Sequence, residues 1–486
     1  MSTIVARFAN LRRRAPERVL LHLPGIGGAL TASDIWAAHL AYAELLGQAG
    51  VGPSQLVVSV AGNHHASVAF FLACRTRGIA VMLVDAGTTL PEILDLGERF
   101  HAAAILLPPP MIEHEPEDTY SGSFSLDDGL CLVTRVEPAP RSYSDTAVLK
   151  LTSGSSGSPK AALTSEAQLI ADGTQIAGAM GIEPPDTQIA AIPLSHSYGL
   201  GVLLMPMLLQ GTGIVLRESF VPHQLPLDAR RFGARLFPGV PFMFQYFITN
   251  PPVDGWPACL QQLISAGAPL PPATVWEFRE QFGVKIHSFY GTTETGGIAF
   301  DDDDEIEEGA QVGLPLPGVT ITLRADEDVP AGTGRIHVRS AAVADGYVDH
   351  IGEGFDGEGF LTGDFGTIDA RGRLTLEGRL SSFVNVAGRK VQPEEVERVL
   401  RSMPGIEDVR VLAAPDPRRG QQIVACVVAN SASGVSVLSL RRFCAARLAA
   451  HKIPRTVVFL NAIPLTTRGK TDRAALQAIV RAQLGI

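Results

Sequence analysis

Short apolar runs alternate with helix-length stretches of mixed polarity up to about residue 140. The apolar runs include Leu56 to Val60, Val81 to Val84 and Ala104 to Leu107, and the helix-like stretches include Ile35 to Gly47 and Ala66 to Arg77. Repeated alternation of this kind predicts an α/β domain with a largely parallel sheet.

A second and smaller α/β pattern follows near the C-terminal end. The strand signal breaks at Gly378 to Ser382 and starts again at Phe383, which predicts a domain boundary there. A chain of 486 residues also needs more than one core. We therefore expect an α/β fold, with a large N-terminal domain of several subdomains at residues 1–380 and a small C-terminal α+β domain at residues 381–486. The C-terminal elements are predicted as a helix at Pro393 to Ser402, strands at Val409 to Ala413 and Ile423 to Val428, and a helix at Leu438 to Ala449.

The stretch from Ile189 to Leu216 contains no Asp, Glu, Lys or Arg. It is the only candidate membrane span in the sequence, but prolines, serines, a histidine and a glutamine interrupt it. A buried core segment or a pocket wall is therefore predicted instead.

Composition and charge narrow the possible functions. The formal net charge of −10 argues against a surface that binds nucleic acid. The five cysteines are scattered singly, without a C-x-x-C pair, so they are expected to be reduced packing residues of a cytoplasmic protein. The acidic run Asp301 to Asp304 is expected to be a solvated loop.

The stretch from Leu151 to Leu163, LTSGSSGSPKAAL, predicts a strand, a loop and a strand. Its small residues allow backbone N–H groups to approach a triphosphate, while the hydroxyls donate hydrogen bonds and the lysine adds a point charge. It is not a Walker loop, because Ser158 and Pro159 separate Gly157 from Lys160. A Ser/Gly-rich surface connection is the alternative. The candidate phosphate-binding residues are Thr152, Ser153, Gly154, Ser155, Ser156, Gly157 and Lys160.

A second motif, Ile286 to Gly297, combines an aromatic face at Tyr290, a hydroxyl at Thr293 and a carboxylate at Glu294 in what we expect to be a tight turn. These groups suit stacking on a base, contact with a phosphate and binding of Mg²⁺, which takes only one or two protein carboxylates. The alternative is a Gly/Thr-rich turn after a strand.

Three further segments carry candidate groups. His196 ends an apolar strand and enters an apolar helix, where a buried structural histidine is the alternative. Leu263 to Leu270 predicts a strand that ends in small residues, which leaves room for a flat ring. Asp364, between a glycine and an aromatic residue, suits the hydroxyls of a ribose, although a turn between strands is the alternative.

In this order and spacing, the motifs from Leu151 to Arg473 resemble those of the adenylate-forming superfamily, which includes acyl- and aryl-CoA synthetases, firefly-type luciferases and the adenylation domains of peptide synthetases. The resemblance covers essentially the whole chain. It implies a mobile C-terminal lid that reorients between two half-reactions. It also implies that the protein uses ATP, Mg²⁺ and a thiol acceptor.

The resemblance assigns roles to single residues. It implies that Lys470 bridges the substrate carboxylate and the α-phosphate, that Thr293 contacts the α-phosphate and that Glu294 holds Mg²⁺. It places Asp364 and Arg379 at the ribose. The residues that it places around the adenine are Gly267, Ala268, Pro269, Tyr290, Gly291 and Thr292.

The remaining implied roles concern the acceptor and the acid. Ser381 stands at the hinge, where the family usually has Asp or Lys, so the charge that favours one lid orientation is missing. The pantetheine passage is expected at Gly388, with Arg389 and Lys390 beside it. His196 is a candidate catalytic group and also lines the expected acid pocket. The pocket candidates are His196, Phe237, Val240, Phe242, Met243, Gly291 and Gly296.

The expected activity is therefore ATP-dependent activation of a fatty or aromatic carboxylic acid, followed by transfer to the thiol of CoA. In the adenylation domains of peptide synthetases, an aspartate in the segment around His196 binds the amino group of the substrate. This segment of the chain has no such aspartate, so the resemblance disfavours an amino acid substrate. Two alternatives stay open, namely transfer to the phosphopantetheine of a carrier protein and a non-catalytic nucleotide-binding protein. We expect a monomer or a homodimer.

Overall fold

The structure is a computed structural model. It describes residues 3–108, 111, 119–125, 129–137, 139–152, 160–306, 310–327, 329–349, 352–380, 384–386, 389–416, 420–430, 434–448, 450–466 and 471–485.

Side-chain caps set where several helices begin. Thr31 accepts a hydrogen bond from the backbone N–H of Asp34, Ser165 does the same for Gln168, and each pair forms a reciprocal capping box. A π-helical turn, Leu200–Leu204, joins α6 (Ser197–Gly199) to α7 (Met205–Gln210). The α-helices are α1 Ile4–Arg14, α2 Ala32–Gln48, α3 Ala66–Thr76, α4 Leu90–Arg99, α5 Glu166–Ala179, α6 Ser197–Gly199, α7 Met205–Gln210, α8 Leu225–Phe232, α9 Pro241–Thr249, α10 Pro272–Phe282, α11 Pro393–Arg401, α12 Val437–Ala445 and α13 Arg473–Leu484.

The strands of the N-terminal half are mostly short and apolar. They are β1 Val19–Leu23, β2 Gly28–Thr31, β3 Leu56–Ser59, β4 Ala80–Leu83, β5 Ala104–Leu107, β6 Tyr120–Ser125, β7 Cys131–Arg135, β8 Val148–Thr152, β9 Lys160–Thr164, β10 Thr187–Ala190, β11 Gly213–Leu216, β12 Leu236–Gly239 and β13 Gln262–Ser265. The later strands are β14 Ile286–Thr292, β15 Gly296–Phe300, β16 Gln311–Pro315, β17 Thr320–Arg324, β18 Gly334–Arg339, β19 Gly346–Tyr347, β20 Phe360–Ile368, β21 Leu374–Arg379, β22 Val384–Val386, β23 Arg389–Val391, β24 Ile406–Asp416, β25 Gly420–Ala429 and β26 Thr456–Phe459.

The chain forms two compact units. The first comprises residues 1–322, 337–362 and 368–375, and the second comprises residues 323–336, 363–367 and 376–486. The predicted boundary at residues 380/381 stays a prediction.

Two sheets organise the first unit. One has the strand order β2-β1-β11-β10-β12-β13-β14-β15-β16, and its pairs from β1 to β14 are parallel. The other has the order β19-β9-β8-β4-β3-β5-β7-β6, with parallel pairing from β8 to β5. In both sheets the parallel centre is flanked by antiparallel strands, which is common in large sheets.

A smaller sheet with the order β23-β22-β25-β24 organises the second unit, and β26 pairs parallel to β25. Alternate residues of β24 and β25 enter two different cores. Val411 and Ala425 pack in the core that includes Val396 and Leu440 of α11 and α12, whereas Val424 packs with residues of α13. This period of two is what a sheet covered on both faces requires.

The predicted α/β fold, with its large N-terminal and small C-terminal domain, is confirmed. The uncharged stretch from Ile189 to Leu216 is core, as expected, and contributes buried residues to the main hydrophobic cluster. None of the helices in the described part of the chain combines the length and apolar character that a membrane span requires.

The expectation that Asp301 to Asp304 form a solvated loop is wrong for part of the run. The side chain of Lys285 is buried, and its Nζ lies 2.9 Å from Asp301 Oδ2 and 3.5 Å from Asp303 Oδ1. The buried side chain of Arg373 also pairs with Asp303. The acidic residues are thus held in place because they neutralise buried cations.

Candidate functional site

Strands β8 and β9 hold the two ends of the predicted phosphate loop. They pair antiparallel, and Thr152, the last residue of β8, lies opposite Lys160, the first residue of β9. Residues 153–159 lie outside the described residues. The candidates among them, which stay predictions, are Ser153, Gly154, Ser155, Ser156 and Gly157.

The ammonium group of Lys160 has two neighbours at the end of this loop. Its Nζ lies 2.6 Å from Glu353 Oε1 and 5.4 Å from the centre of the Tyr347 ring. The Lys160 side chain is 12% exposed, whereas the Glu353 side chain is 58% exposed. A carboxylate that is this well solvated holds its partner weakly, so an anionic ligand can compete for the lysine.

A turn of Thr293, Glu294 and Thr295 joins β14 to β15. The Oγ1 atoms of Thr292 and Thr295 lie 3.0 Å apart, and the backbone N–H of Thr295 donates to Thr292 Oγ1 at 3.3 Å. Thr295 is fully buried, whereas Thr293 and Glu294 are half-buried at the tip of the turn. Tyr290 lies within β14 and is buried, so it is part of the strand and not of the turn as we expected.

A buried carboxylate on α5 fixes the start of β15. Asp172 is 2% exposed, and its Oδ1 accepts a hydrogen bond from the Gly297 N–H at 2.9 Å. Gly296 has a φ of +68°, and a Cβ atom there would collide with the Asp172 carboxylate. No local sequence signal marks this aspartate, because its partner is distant in the chain.

Lys150 of β8 adds a buried cation to this region. Burial lowers the pKa of the Lys150 ammonium, while the charges of Asp172 and Glu294 oppose that shift. Burial also raises the pKa of the Asp172 carboxyl, and Lys150 and the Gly297 N–H oppose that shift. Lys150, which lies in the strand that enters the phosphate loop, therefore interacts with two carboxyl groups, those of Asp172 and Glu294.

Glu294 is held through both its side chain and its backbone. The Tyr347 hydroxyl donates to Glu294 Oε1 at 2.6 Å, and the Ala344 N–H donates to the Glu294 carbonyl at 2.8 Å. Tyr347 was another residue that the sequence analysis missed, although the GY pair at residues 346–347 follows a loop.

His196 caps the short helix α6. Its Nδ1 accepts a hydrogen bond from the Tyr198 N–H at 3.4 Å. The Tyr198 hydroxyl donates to the Ile264 carbonyl of β13 at 3.2 Å, and burial raises the pKa of Tyr198 well above its ordinary value. Through Tyr198, the histidine is therefore connected to β13, the strand that precedes the predicted adenine segment.

The predicted adenine segment follows β13 and is accessible. Gly267, Ala268 and Pro269 are exposed, and the Ala266 N–H donates to the Gly239 carbonyl at 3.2 Å. Small exposed residues at the C-terminal end of a parallel strand leave space for a flat ring.

The residues of the predicted acid pocket differ in how deeply they are buried. Phe237 is fully buried, with its ring centre 5.0 Å from that of Phe244. Val240 and Met243 are buried at the start of α9, and Phe242 is half-buried. Phe237 therefore packs in the hydrophobic core, and its role in the acid pocket stays a prediction.

Asp364 and Arg379 meet within the second unit. Arg379 Nε donates to Asp364 Oδ1 at 2.6 Å; the Arg379 side chain is 54% exposed, whereas that of Asp364 is 11% exposed. Asp364 lies inside β20 and not in a turn between strands. The structure brings together the two residues that were predicted to bind a ribose.

Several predicted residues stay predictions. Ser381, Gly388 and Lys470 lie outside the described residues. Arg389 and Lys390 are described only through their backbone, in β23.

The residues around Glu294 fit a magnesium ion. The described residues contain no cluster of three or more His, Cys, Asp and Glu side chains suited to a metal. Mg²⁺ needs no such cluster, since it takes one or two carboxylates together with substrate phosphates and waters. Tyr347 bonds to Glu294 Oε1, so a cation would be held through Glu294 Oε2.

Comparisons with known proteins identify the class of this enzyme. Residues 8–348 match the model of the AMP-binding enzymes, and residues 395–470 match the model of the AMP-binding enzyme C-terminal domain. The chain is 31% identical over 348 residues to a sulfoacetate–CoA ligase of Cupriavidus necator, covering 70% of this chain and 68% of that one. It is 28% identical to a feruloyl-CoA synthase of an Amycolatopsis species, covering 91% and 92%.

Solved structures share the fold. The crystal structure of ATP-bound MatB from Rhodopseudomonas palustris superposes with a TM-score of 0.84 at 22% identity, covering 99% of both chains.

The chain therefore belongs to the AMP-binding enzymes of the adenylate-forming superfamily. Within that superfamily it is an acid–thiol ligase. This confirms the resemblance on which the predicted site residues depend.

Proposed function

We propose that this protein is an AMP-forming acyl-CoA synthetase that activates a fatty or aromatic carboxylic acid. The observation that carries the proposal is the arrangement of Lys160 and Glu294, which lie at the loop end and at the turn tip and are linked by one ring, that of Tyr347. A cation for phosphate oxygens and a carboxylate for a metal are thus held together.

The reaction begins when a carboxylate oxygen attacks the α-phosphorus of ATP. The bond from that phosphorus to the bridging oxygen breaks, pyrophosphate leaves, and an acyl-adenylate remains. Mg²⁺ bound with ATP would offset negative charge on the phosphates. Lys160 and the Thr293 hydroxyl would stabilise the charge that develops on the phosphate oxygens.

The second half-reaction forms the thioester. The CoA thiolate attacks the acyl carbonyl, and AMP leaves with the bonding electrons. We propose that Asp364 and Arg379 bind the ribose and that Gly388, Arg389 and Lys390 lie along the path of pantetheine. Ser381 would serve as the hinge.

The chemistry of the acid follows from the candidate pocket residues. Val240, Phe242 and Met243 are apolar, and we propose that the ring of His196 donates a hydrogen bond to the carboxylate of the acid. An apolar wall favours an aryl or alkyl group over a second anionic group. The similarity to a feruloyl-CoA synthase over 91% of the chain supports an aromatic acid.

The test is mass spectrometry of the products that purified protein forms from MgATP and a pooled panel of acids, with and without CoA. The panel contains aryl acids, short- to long-chain fatty acids and sulfoacetate. We expect an aryl- or fatty acyl-CoA together with AMP. Sulfoacetyl-CoA as the main product would contradict the apolar pocket.

Two other outcomes would replace the proposal. An acyl-adenylate that accumulates and ignores CoA would favour a carrier-protein phosphopantetheine as the acceptor. Binding of ATP without any product from the panel would favour a non-catalytic nucleotide-binding protein.

A further inference from the structure

The short strand β19 attaches Tyr347 to the strand that leaves the phosphate loop. Tyr347 pairs antiparallel with Ala162 of β9, two residues beyond Lys160. Backbone hydrogen bonds on either side of this pair, from Asp345 to Leu163 at 2.9 Å and from Val348 to Ala161 at 3.0 Å, fix the register. The position of the tyrosine is therefore set by the sheet.

The side chain of Tyr347 reaches from this strand to the turn that carries Glu294. The tyrosine is 7% exposed, its ring packs edge-on against Phe355 at 5.3 Å, and its hydroxyl donates to Glu294 Oε1 at 2.6 Å. The Ala344 N–H also donates to the Glu294 carbonyl. The segment from Ala344 to Tyr347 therefore holds both the backbone and the carboxylate of the glutamate.

The phenol of Tyr347 is well suited to hold the Glu294 carboxylate in one position. An O–H···O⁻ bond to a carboxylate is charge-assisted and short, so it restricts a side chain that otherwise rotates freely. Unlike a lysine or an arginine, the phenol brings no positive charge of its own to the Glu294 carboxylate. Fixing the carboxylate before the cation arrives lowers the entropy lost on binding.

The Lys160 ammonium strengthens this arrangement from the other side. It lies 5.4 Å from the ring centre of Tyr347, within the range of a cation–π interaction. A nearby cation draws electron density from the ring and makes the phenol a better hydrogen-bond donor. The lysine at the phosphate loop and the glutamate at the turn thus interact through one aromatic side chain.

We propose that Tyr347 is a positioning residue that fixes Glu294 to receive Mg²⁺ bound with ATP. This inference rests on the proposed function, in which Glu294 is the magnesium ligand.

The test compares ATP binding by the full-length protein in excess Mg²⁺ and in EDTA, measured by isothermal titration calorimetry. The variant Tyr347→Phe keeps the ring but removes the hydroxyl. We expect it to bind ATP about tenfold more weakly in Mg²⁺, the effect of losing one charge-assisted hydrogen bond. In EDTA its affinity should equal that of the wild type.

The control variant is Tyr143→Phe. Tyr143 is also a buried tyrosine, but its hydroxyl donates to the backbone carbonyl of Phe100, at 2.7 Å. It should leave both affinities unchanged. In a Glu294→Gln background, Tyr347→Phe should cause no further loss, because the bond acts through the charged carboxylate.

The outcomes separate the inference from the proposed function. If Mg²⁺ does not change ATP binding to the wild type, the magnesium role of Glu294 fails and the inference falls with it. If the wild type depends on Mg²⁺ but Tyr347→Phe matches it, or weakens binding equally in EDTA, only the positioning role is overturned.

Discussion

Lys150 and Asp172 are two buried side chains of opposite charge in this site. Burying charge is costly, and removing one member of a buried pair leaves the other uncompensated. Both residues are at most 5% exposed, and the attraction between them opposes the effect of burial on both pKa values. Their mutual dependence is open to a direct test.

We predict that Lys150→Met and Asp172→Asn each lower the free energy of unfolding by roughly 3 kcal/mol. The double variant should lose clearly less than the sum, with a coupling of at least about 1 kcal/mol, since it leaves neither Lys150 nor Asp172 buried without the other. Urea denaturation followed by fluorescence measures both quantities. Additive losses would show that the two charges do not compensate each other.

Arg141→Met is the control for that cycle. Arg141 pairs with Asp349 at 3.0 Å, but both side chains are 35% exposed. An ion pair that is this accessible to water is worth at most about 1 kcal/mol, so the control should change stability little.

The hairpin of β14 and β15 shows how one element imposes a residue type. Gly291 lies opposite Gly297 in the register, and a Cβ atom on Gly291 would lie 2.5 Å from the Gly296 carbonyl oxygen. Glycine at these positions allows the hairpin to close and allows β15 to approach α5. The sequence analysis identified this motif through its functional groups, but its glycines also serve packing.

We predict that Gly296→Ala destabilises the protein by more than about 2 kcal/mol. The left-handed backbone costs an alanine roughly 1–2 kcal/mol, and the collision with Asp172 adds to that. Gly233→Ala is the matched control, because Gly233 has a φ of +61° but no atom within 4 Å of its added Cβ. Equal losses of stability in the two variants would rule out the effect of Asp172.

Across the whole molecule, the cysteines are free, and most are packing residues as predicted. Cys74, Cys131, Cys426 and Cys444 are buried, whereas Cys259 is half-buried. Burial raises the pKa of Cys74 to about 12 and those of Cys426 and Cys444 to about 11. Only the thiolate reacts readily with electrophiles.

We therefore predict that iodoacetamide at pH 8 alkylates Cys259 of the native protein first and the four buried thiols at least about tenfold more slowly. Mass spectrometry of intact protein and of peptides measures the order. In guanidinium chloride all five should react. Fast native modification of Cys74 would contradict its burial.

The two half-reactions give a further prediction for the whole enzyme. If Lys470 bridges the substrate carboxylate and the α-phosphate, as the family resemblance implies, Lys470→Ala should slow acyl-adenylate formation by about 10²–10³. Thioester formation from supplied acyl-adenylate should be nearly unchanged. Pyrophosphate release and CoA consumption, measured separately, test this, and equal loss of both would contradict the assigned role.

The sequence alone determined the α/β class, the two-part architecture and the family. Strand and helix patterns are local, and small, hydroxyl-bearing and charged residues at fixed spacing reveal phosphate chemistry without knowledge of the fold. For this reason β3, β5 and α3 lie close to their predicted positions. Thr152 and Lys160 could be placed at the ends of a loop for the same reason.

Only the tertiary structure decided which residues support those motifs. Tyr347 meets Glu294 across 53 residues, and Asp172 meets Gly297 across 125. Likewise, the buried cations of Lys285 and Arg373 pair with Asp301 and Asp303 of an apparently solvated acidic run. Such contacts depend on sheet register and helix packing, which bring distant residues together, and no local pattern of hydrophobic and polar residues encodes them.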